Sequence, residues 1–143
     1  RAARIAAQSV GMARAAFDAA LRYSKERQAF GKPIFDHQAL QFRLADMATN
    51  IEAARQLIHH AANLKDAGVP CLKEAAMAKL YATDHAQVVI DKALQMFGGL
   101  GVVSGTPVEA LYREIRPLRI YEGASEVQKL VIARQLLSGQ GAS

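Results

Sequence analysis

"HQALQFRLADMATNIEAARQLIHHAANLKD", residues 37–66, decides the fold class. Leu40, Leu44, Met47, Ile51, Ala54, Ile58 and Ala61 recur in alternating steps of four and three. Only a helix returns side chains to one face at that spacing, so the stretch is a helix with one seam turned to its neighbours. Arg43, Asp46, Asn50 and His60 fall off the seam and are expected in solvent. Asp36 is a candidate N-cap, and Gly68 a candidate stop.

Working outward, residues 2–28 form an earlier helix, with Val10, Phe17 and Leu21 on one stripe. A third begins near Pro70 and runs to about Phe97, with Ala76, Leu80, Thr83, Gln87, Ile90, Leu94 and Phe97 in the same four-three spacing. "GGLG", 98–101, ends it. "TPVE", 106–109, has the form of a capping box with proline in the first turn, and opens a short helix that Pro117 must close. A last helix spans about 124–137, with Val127, Leu130, Val131 and Leu137 apolar. No run reads as a strand, and the tail 138–143 is expected to fray. Short connections between helices make antiparallel neighbours. The expected fold is therefore all-α, an up-and-down four-helix bundle with one extra short helix.

The totals agree with close helix packing: 51% of the 143 residues are hydrophobic and tryptophan is absent. Alanine is abundant, which lets backbones approach. The formal charge of +5 is spread among acids, which suits an anionic ligand but not nucleic acid. One cysteine, Cys71, permits no internal disulfide and fits a reducing compartment. No apolar run approaches the roughly 20 residues that span a bilayer, so no membrane insertion is expected. The chain opens in helical pattern with no initiator methionine and no cap, as a piece of a longer polypeptide would. The cytoplasm of a bacterium, or the mitochondrial matrix, is the expected setting.

Candidate chemistry is sparse. No glutamate has a histidine three residues on, and His37, His59, His60 and His85 share no ligand face with acids, so no metal site is expected. "GGLG" follows a helix rather than a strand, so it reads either as a helix stop or as a close backbone approach. Arg27, in "ERQAFGKPI" (26–34), either complements a helix end or offers its fork to a pyrophosphate. Arg113, Arg116 and Arg119 read as a solvated or salt-bridged face. Glu122, in "RIYEGASEVQ" (119–128), is either an acid at the entrance to a helix or a catalytic base. A base would need apolar surroundings to raise its pKa.

Three motifs in order, "ERQAFGKPI" with "HQ" at 37–38, "LQMFGGLGV" at 94–102 and "IYEGASEVQKLVIAR" at 120–134, resemble the C-terminal helical domain of the acyl-CoA dehydrogenase family. The resemblance covers residues 1–137. It implies that Glu122 takes the α-proton of an acyl-CoA thioester, while the β-hydrogen leaves as hydride to FAD, giving a trans-2-enoyl-CoA. It also implies that the Glu122 N–H helps to hold the thioester oxygen. Arg27, Phe30 and Gln38 match positions that reach a neighbouring subunit's FAD, and Gln95, Gly98 and Gly99 match positions near its adenine end. Ser125 and Glu126 match further cofactor contacts. Arg4, Tyr121 and Gly123 match the acyl-CoA region. An electron-transfer flavoprotein as partner and a dimeric or tetrameric assembly are implied as well.

Departures from the family pattern are Ala124 for the usual threonine and Ala29 for a hydroxyl residue. Some branches carry the base on the earlier helix, where this chain has Ala3, which favours Glu122. A related acyl-CoA oxidase is one alternative. The other is a non-catalytic assembly module, whose second and third helices would turn their seams to other subunits.

Overall fold

A computed structural model describes residues 1–139 of the chain. Five helices carry the fold: α1 (Ala2–Glu26), α2 (Gln38–Asp66), α3 (Leu72–Phe97), α4 (Pro107–Ile115) and α5 (Ser125–Leu137). The expected all-α, up-and-down arrangement is the observed one. Most of the expected tail at 138–143 lies outside the described residues. Ser138 and Gly139 close α5 in a turn.

At one end of the bundle the Tyr23 ring, late in α1, stacks on Phe97 at the end of α3, with centroids 4.3 Å apart. At the other end, Arg1 and Ala2 line a cleft with Leu72, Ala75 and Ala76. So α1 and α3 run parallel in direct contact, and α2 lies along the pair in the opposite sense, its Ile51 and Ala54 beside Val10 and Ala13 of α1 and Ala82, Ala86 and Val89 of α3. All the other helices pack on α3.

The core is built from small residues. In α1 the buried face is Ile5, Ala6, Ser9, Val10, Ala13, Ala16, Ala20 and Ser24. Val10 stands as expected, whereas Phe17 and Leu21 are only half-buried beside that stripe. Alanine on α1 faces alanine on α3, and the absence of longer side chains brings the two backbones close. In α2 the expected seam holds: Leu44, Met47, Ile51, Ala54 and Ala61 are buried, with Leu40 and Ile58 packed partly against the core. Asp46 and His60 are exposed, while Arg43 and Asn50 are half-buried. The seams offered as subunit contacts are largely taken up inside this chain.

Several local expectations are corrected. α1 stops at Glu26, because residues 28–33 form a two-strand antiparallel hairpin, β1 (Gln28–Ala29) and β2 (Lys32–Pro33). Phe30 and Gly31 turn it with φ of 54° and 83°. Asp36 sits in a short 3-10 turn, and His37 occupies the cap position of α2 without a side-chain bond. Thr106 does begin α4, but its hydroxyl donates to the Leu100 carbonyl (2.9 Å) and Glu109 bonds Arg113, so no capping box forms. Gly68 ends α2 as expected: its φ is 72°, Val69 N–H donates to Leu64 O and Gly68 N–H to Lys65 O, a Schellman closure. In α5 the apolar residues Val127, Leu130 and Leu137 are exposed, and the buried side chains are Ser125 and Gln128.

Candidate functional site

Glu122 lies in the connection between α4 and α5. Pro117 has no N–H to continue α4, so the chain tightens into a 3-10 turn over Arg116–Arg119. The N–H groups of Ile120 and Tyr121 both donate to the Pro117 carbonyl, at 2.9 and 3.0 Å, and the backbone reverses. Glu122 then takes φ 55° and Gly123 φ 94°. A left-handed residue with a side chain is costly, and such strain gathers at functional sites. The φ of Gly123 is what favours glycine there, since the atom an added Cβ would meet, Gln128 Nε2, is the movable end of a side chain.

Four side chains fasten this turn; only Gln87 was named from the sequence, and there as a member of the α3 seam. Lys79 of α3, fully buried, donates from Nζ to the Leu118 carbonyl (2.7 Å) and the Gly123 carbonyl (2.8 Å). Burial pushes its ammonium below the usual lysine range, an effect that nearby Asp84 partly offsets. Asp84 Oδ1 accepts from Arg119 Nε and from the Ser125 hydroxyl, each at 2.9 Å. Gln87 Oε1 accepts from Arg119 Nη1 at 3.1 Å. Gln128 Nε2 reaches the carbonyls of Glu122 (3.4 Å) and Gly123 (3.3 Å). The one available signal was register, since Lys79 falls three residues from Ala76 and from Ala82, in phase with the buried face.

Glu122 is not a first-turn acid of α5. It precedes the cap residue Ala124 by two positions, and Glu126 occupies the first turn. Its side chain is 40% exposed, lies 3.9 Å from the Arg1 guanidinium and opens on a cleft of about 450 Å³. Leu72, Ala75, Ala76 and Val131 give that cleft apolar walls. Among the described residues, the Glu122 N–H donates to no other group.

The other expected site residues fall into two groups. Tyr121, Gly123, Ser125, Glu126 and Arg4 share the Glu122 end. Tyr121 and Glu126 are exposed there, and Gly123 spends its carbonyl on Lys79 and Gln128. Ser125 is buried, and its hydroxyl donates to Asp84 Oδ1. Arg4 is exposed one turn along α1, and it is Arg1 that reaches Glu122. Arg27, Phe30, Gln38, Gln95, Gly98 and Gly99 cluster at the opposite end, all exposed, with the Phe30 ring 94% so. The ends are separated by the 25 residues of α1, about 37 Å at 1.5 Å per residue.

Within "GGLG" the helix-stop reading holds, and the close approach seen is to this chain's own backbone. Gly98 ends α3 with φ 61°, while a Cβ on Gly101 would lie 2.6 Å from the Leu94 carbonyl. Arg113 pairs with Glu109 and Arg119 with Asp84, and Arg116 is exposed. Among the described residues, no three His, Cys, Asp or Glu side chains gather as a metal site, and no helix is long and apolar enough to cross a membrane.

The model of the family described as "Acyl-CoA dehydrogenase, C-terminal domain" matches residues 1–137. An acyl-CoA dehydrogenase of Bacillus subtilis is 48% identical over 135 residues, 94% of this chain and 36% of that protein. Butyryl-CoA dehydrogenase from Megasphaera elsdenii superposes with a TM-score of 0.93 at 44% identity, over 95% of this chain and 36% of that one. A solved FAD complex of PigA matches with a TM-score of 0.88 at 31% identity, over 92% of this chain and 34% of that one. The chain thus spans about a third of the length of the relatives it matches.

Proposed function

The chain belongs to the acyl-CoA dehydrogenase family, matching its C-terminal domain over residues 1–137, and on that premise we propose that it carries the base of an FAD-dependent α,β-dehydrogenation of acyl-CoA thioesters. The observation behind this reading is Glu122 itself. It is held left-handed at the mouth of an apolar-walled cleft, with its N–H uncommitted. In the reaction, the Glu122 carboxylate accepts the α-proton, and its N–H donates to the thioester oxygen as negative charge develops there. Apolar cleft walls, with bound substrate, exclude the water that would otherwise solvate the carboxylate. FAD, when bound, would supply the acceptor for the β-hydride.

The residues present fit such a cofactor. Arg27 offers an exposed guanidinium, Phe30 an exposed ring that meets only the His37 ring edge-on among the described aromatic contacts, and Gly98 and Gly99 an open backbone with nothing within 4 Å of an added Cβ. Guanidinium forks suit pyrophosphate oxygens, and bare rings suit stacking. Because this group lies about 37 Å from Glu122, it serves a flavin other than the one beside Glu122. That division calls for a homo-oligomer, dimer or tetramer, in which each copy completes its neighbour's site. The exposed Phe42, Leu130 and Leu137 supply apolar surface for such contacts. Electrons leave to an electron-transfer flavoprotein, and the setting is the bacterial cytoplasm or the mitochondrial matrix.

The test uses the full-length flavoprotein. Glu122→Gln keeps the side chain's shape and removes the base. The variant is expected to retain FAD and to lose bleaching of the flavin by acyl-CoA. Undiminished bleaching refutes the assignment.

A further inference from the structure

Among the described residues, Lys79 is the one buried cation. It is fully buried beside Ala76, Ala82 and Ala86 on a helix otherwise rich in alanine, where an ammonium is costly unless every proton is well placed. Two of its protons are accounted for, and both go to the same short piece of chain. The carbonyls of Leu118 and Gly123 flank the turn in which Glu122 sits, and Lys79 Nζ bonds both, at 2.7 and 2.8 Å. Leu118 O receives no other hydrogen bond among the described residues, and Gly123 O receives only the longer contact from Gln128.

Space-filling does not account for this choice, since methionine has nearly the same length and no charge to desolvate. What lysine adds is direction. Two hydrogen bonds from one nitrogen fix the distance between the carbonyls that bracket the turn and the rotation of the peptide after Gly123, and so narrow the conformations open to Glu122 between them.

We propose that Lys79 is a positioning residue for Glu122: by bridging the Leu118 and Gly123 carbonyls it holds the intervening turn in the conformation that presents the Glu122 carboxylate to the cleft. This rests on the reading of Glu122 as the base. Lys79 touches neither substrate nor cofactor in this role. Its removal misplaces the carboxylate rather than deleting a reacting group, and a displacement of about 1 Å can cost about a hundredfold in rate.

The test isolates proton abstraction. Acetyl-CoA has α-hydrogens and no β-carbon, so it can lose a proton to Glu122 but cannot deliver a hydride. In deuterium oxide the carboxylate takes a proton from the methyl group and returns deuterium, and mass spectrometry reads the exchange. Rates are measured on the full-length flavoprotein, per bound flavin, for wild type, Lys79→Met, Lys79→Gln and Glu122→Gln.

The expected result is exchange abolished in Glu122→Gln and lowered about tenfold to a hundredfold in Lys79→Met. Lys79→Gln, whose shorter amide reaches one carbonyl, falls between Lys79→Met and wild type. The dissociation constant of acetyl-CoA stays within about twofold throughout, because the cleft walls are untouched. Exchange abolished by Glu122→Gln but undiminished per flavin in Lys79→Met overturns the positioning role alone. A loss of flavin-loaded protein with an unchanged rate per flavin also overturns it, since that is what a purely structural lysine would give. If Lys79→Met yields no folded protein, a wild-type rate in Lys79→Gln does the same. Exchange that survives Glu122→Gln overturns the base assignment, and this proposal with it.

Discussion

Replacing Glu122 with glycine and, separately, with alanine separates what the residue costs the fold from what it gives the site. Its φ of 55° is a conformation that charges a residue bearing a Cβ about 1–2 kcal/mol. Glycine removes that strain but widens the unfolded ensemble by about 0.4–1 kcal/mol. Alanine keeps the strain. Both lose the contact with Arg1, whose side chain is 89% exposed, and such a pair is worth about 0–1 kcal/mol in either case, so it cancels between them. The glycine variant should therefore exceed the alanine variant by about 0.8 kcal/mol at the centre of a range of about 0–1.6 kcal/mol. For a unit of this size that is a difference in Tm of about 2–5 °C, read from the loss of helical circular dichroism on heating. Both variants should be silent in proton abstraction. A glycine variant that melts below the alanine variant would show that the left-handed turn stores no strain, and the reading of Glu122 as a residue held against its own preference would fall.

The "GGLG" stop gives a paired prediction. Gly101→Ala puts a Cβ 2.6 Å from the Leu94 carbonyl and should cost about 1–3 kcal/mol by denaturant titration. Gly99→Ala, with nothing within 4 Å, should leave stability within about 0.5 kcal/mol and, where the proposed cofactor contact holds, weaken flavin binding in the full-length protein. The second concerns pH. Burial lowers the folded-state pKa of Lys79 below the 10.5 of an unperturbed lysine. Between those two values the unfolded chain holds a proton that the folded chain has released, so this group's contribution to stability rises with pH across that window and is flat on either side. The difference in unfolding free energy between wild type and Lys79→Met, followed against pH, should show that rise, and a flat difference would contradict it.

Legibility followed the number of neighbours each helix has. α2 leans on the bundle from one side, so its four-three seam could be read directly, and Gly68 closes it as its position implied. α3 is packed against by all four other helices. A single seam could not describe it, and Leu80, Gln87 and Leu94, read as core, are half-buried while Ala82, Ala86, Val89 and Ala93 are inside. In α1 bulk was the wrong guide: Phe17 and Leu21 drew the stripe, but alanine and serine form the contact because they allow close approach. Local capping signals lost to tertiary partners, as when the Thr106 hydroxyl took the Leu100 carbonyl. Glu122 was visible as an acid at a break between helices. Its left-handed backbone was not, because no local residue imposes it.

What imposes it is α3. The turn from Ile120 to Ala124 carries no buried apolar side chain, and Leu118 is the one such anchor in the preceding 3-10 turn. Apolar contact is non-directional and would let so short a loop rotate in place. Hydrogen bonds from Lys79 and Gln128, and the Asp84 carboxylate shared by Arg119 and Ser125, fix orientation as well as position. They can do so only if the helix that carries Lys79 and Asp84 does not move, and a helix enclosed by alanine contacts on several sides has little freedom to shift. The small-residue core and the polar staples are thus one device. The first makes α3 a fixed rail, and the second hangs the strained glutamate from it.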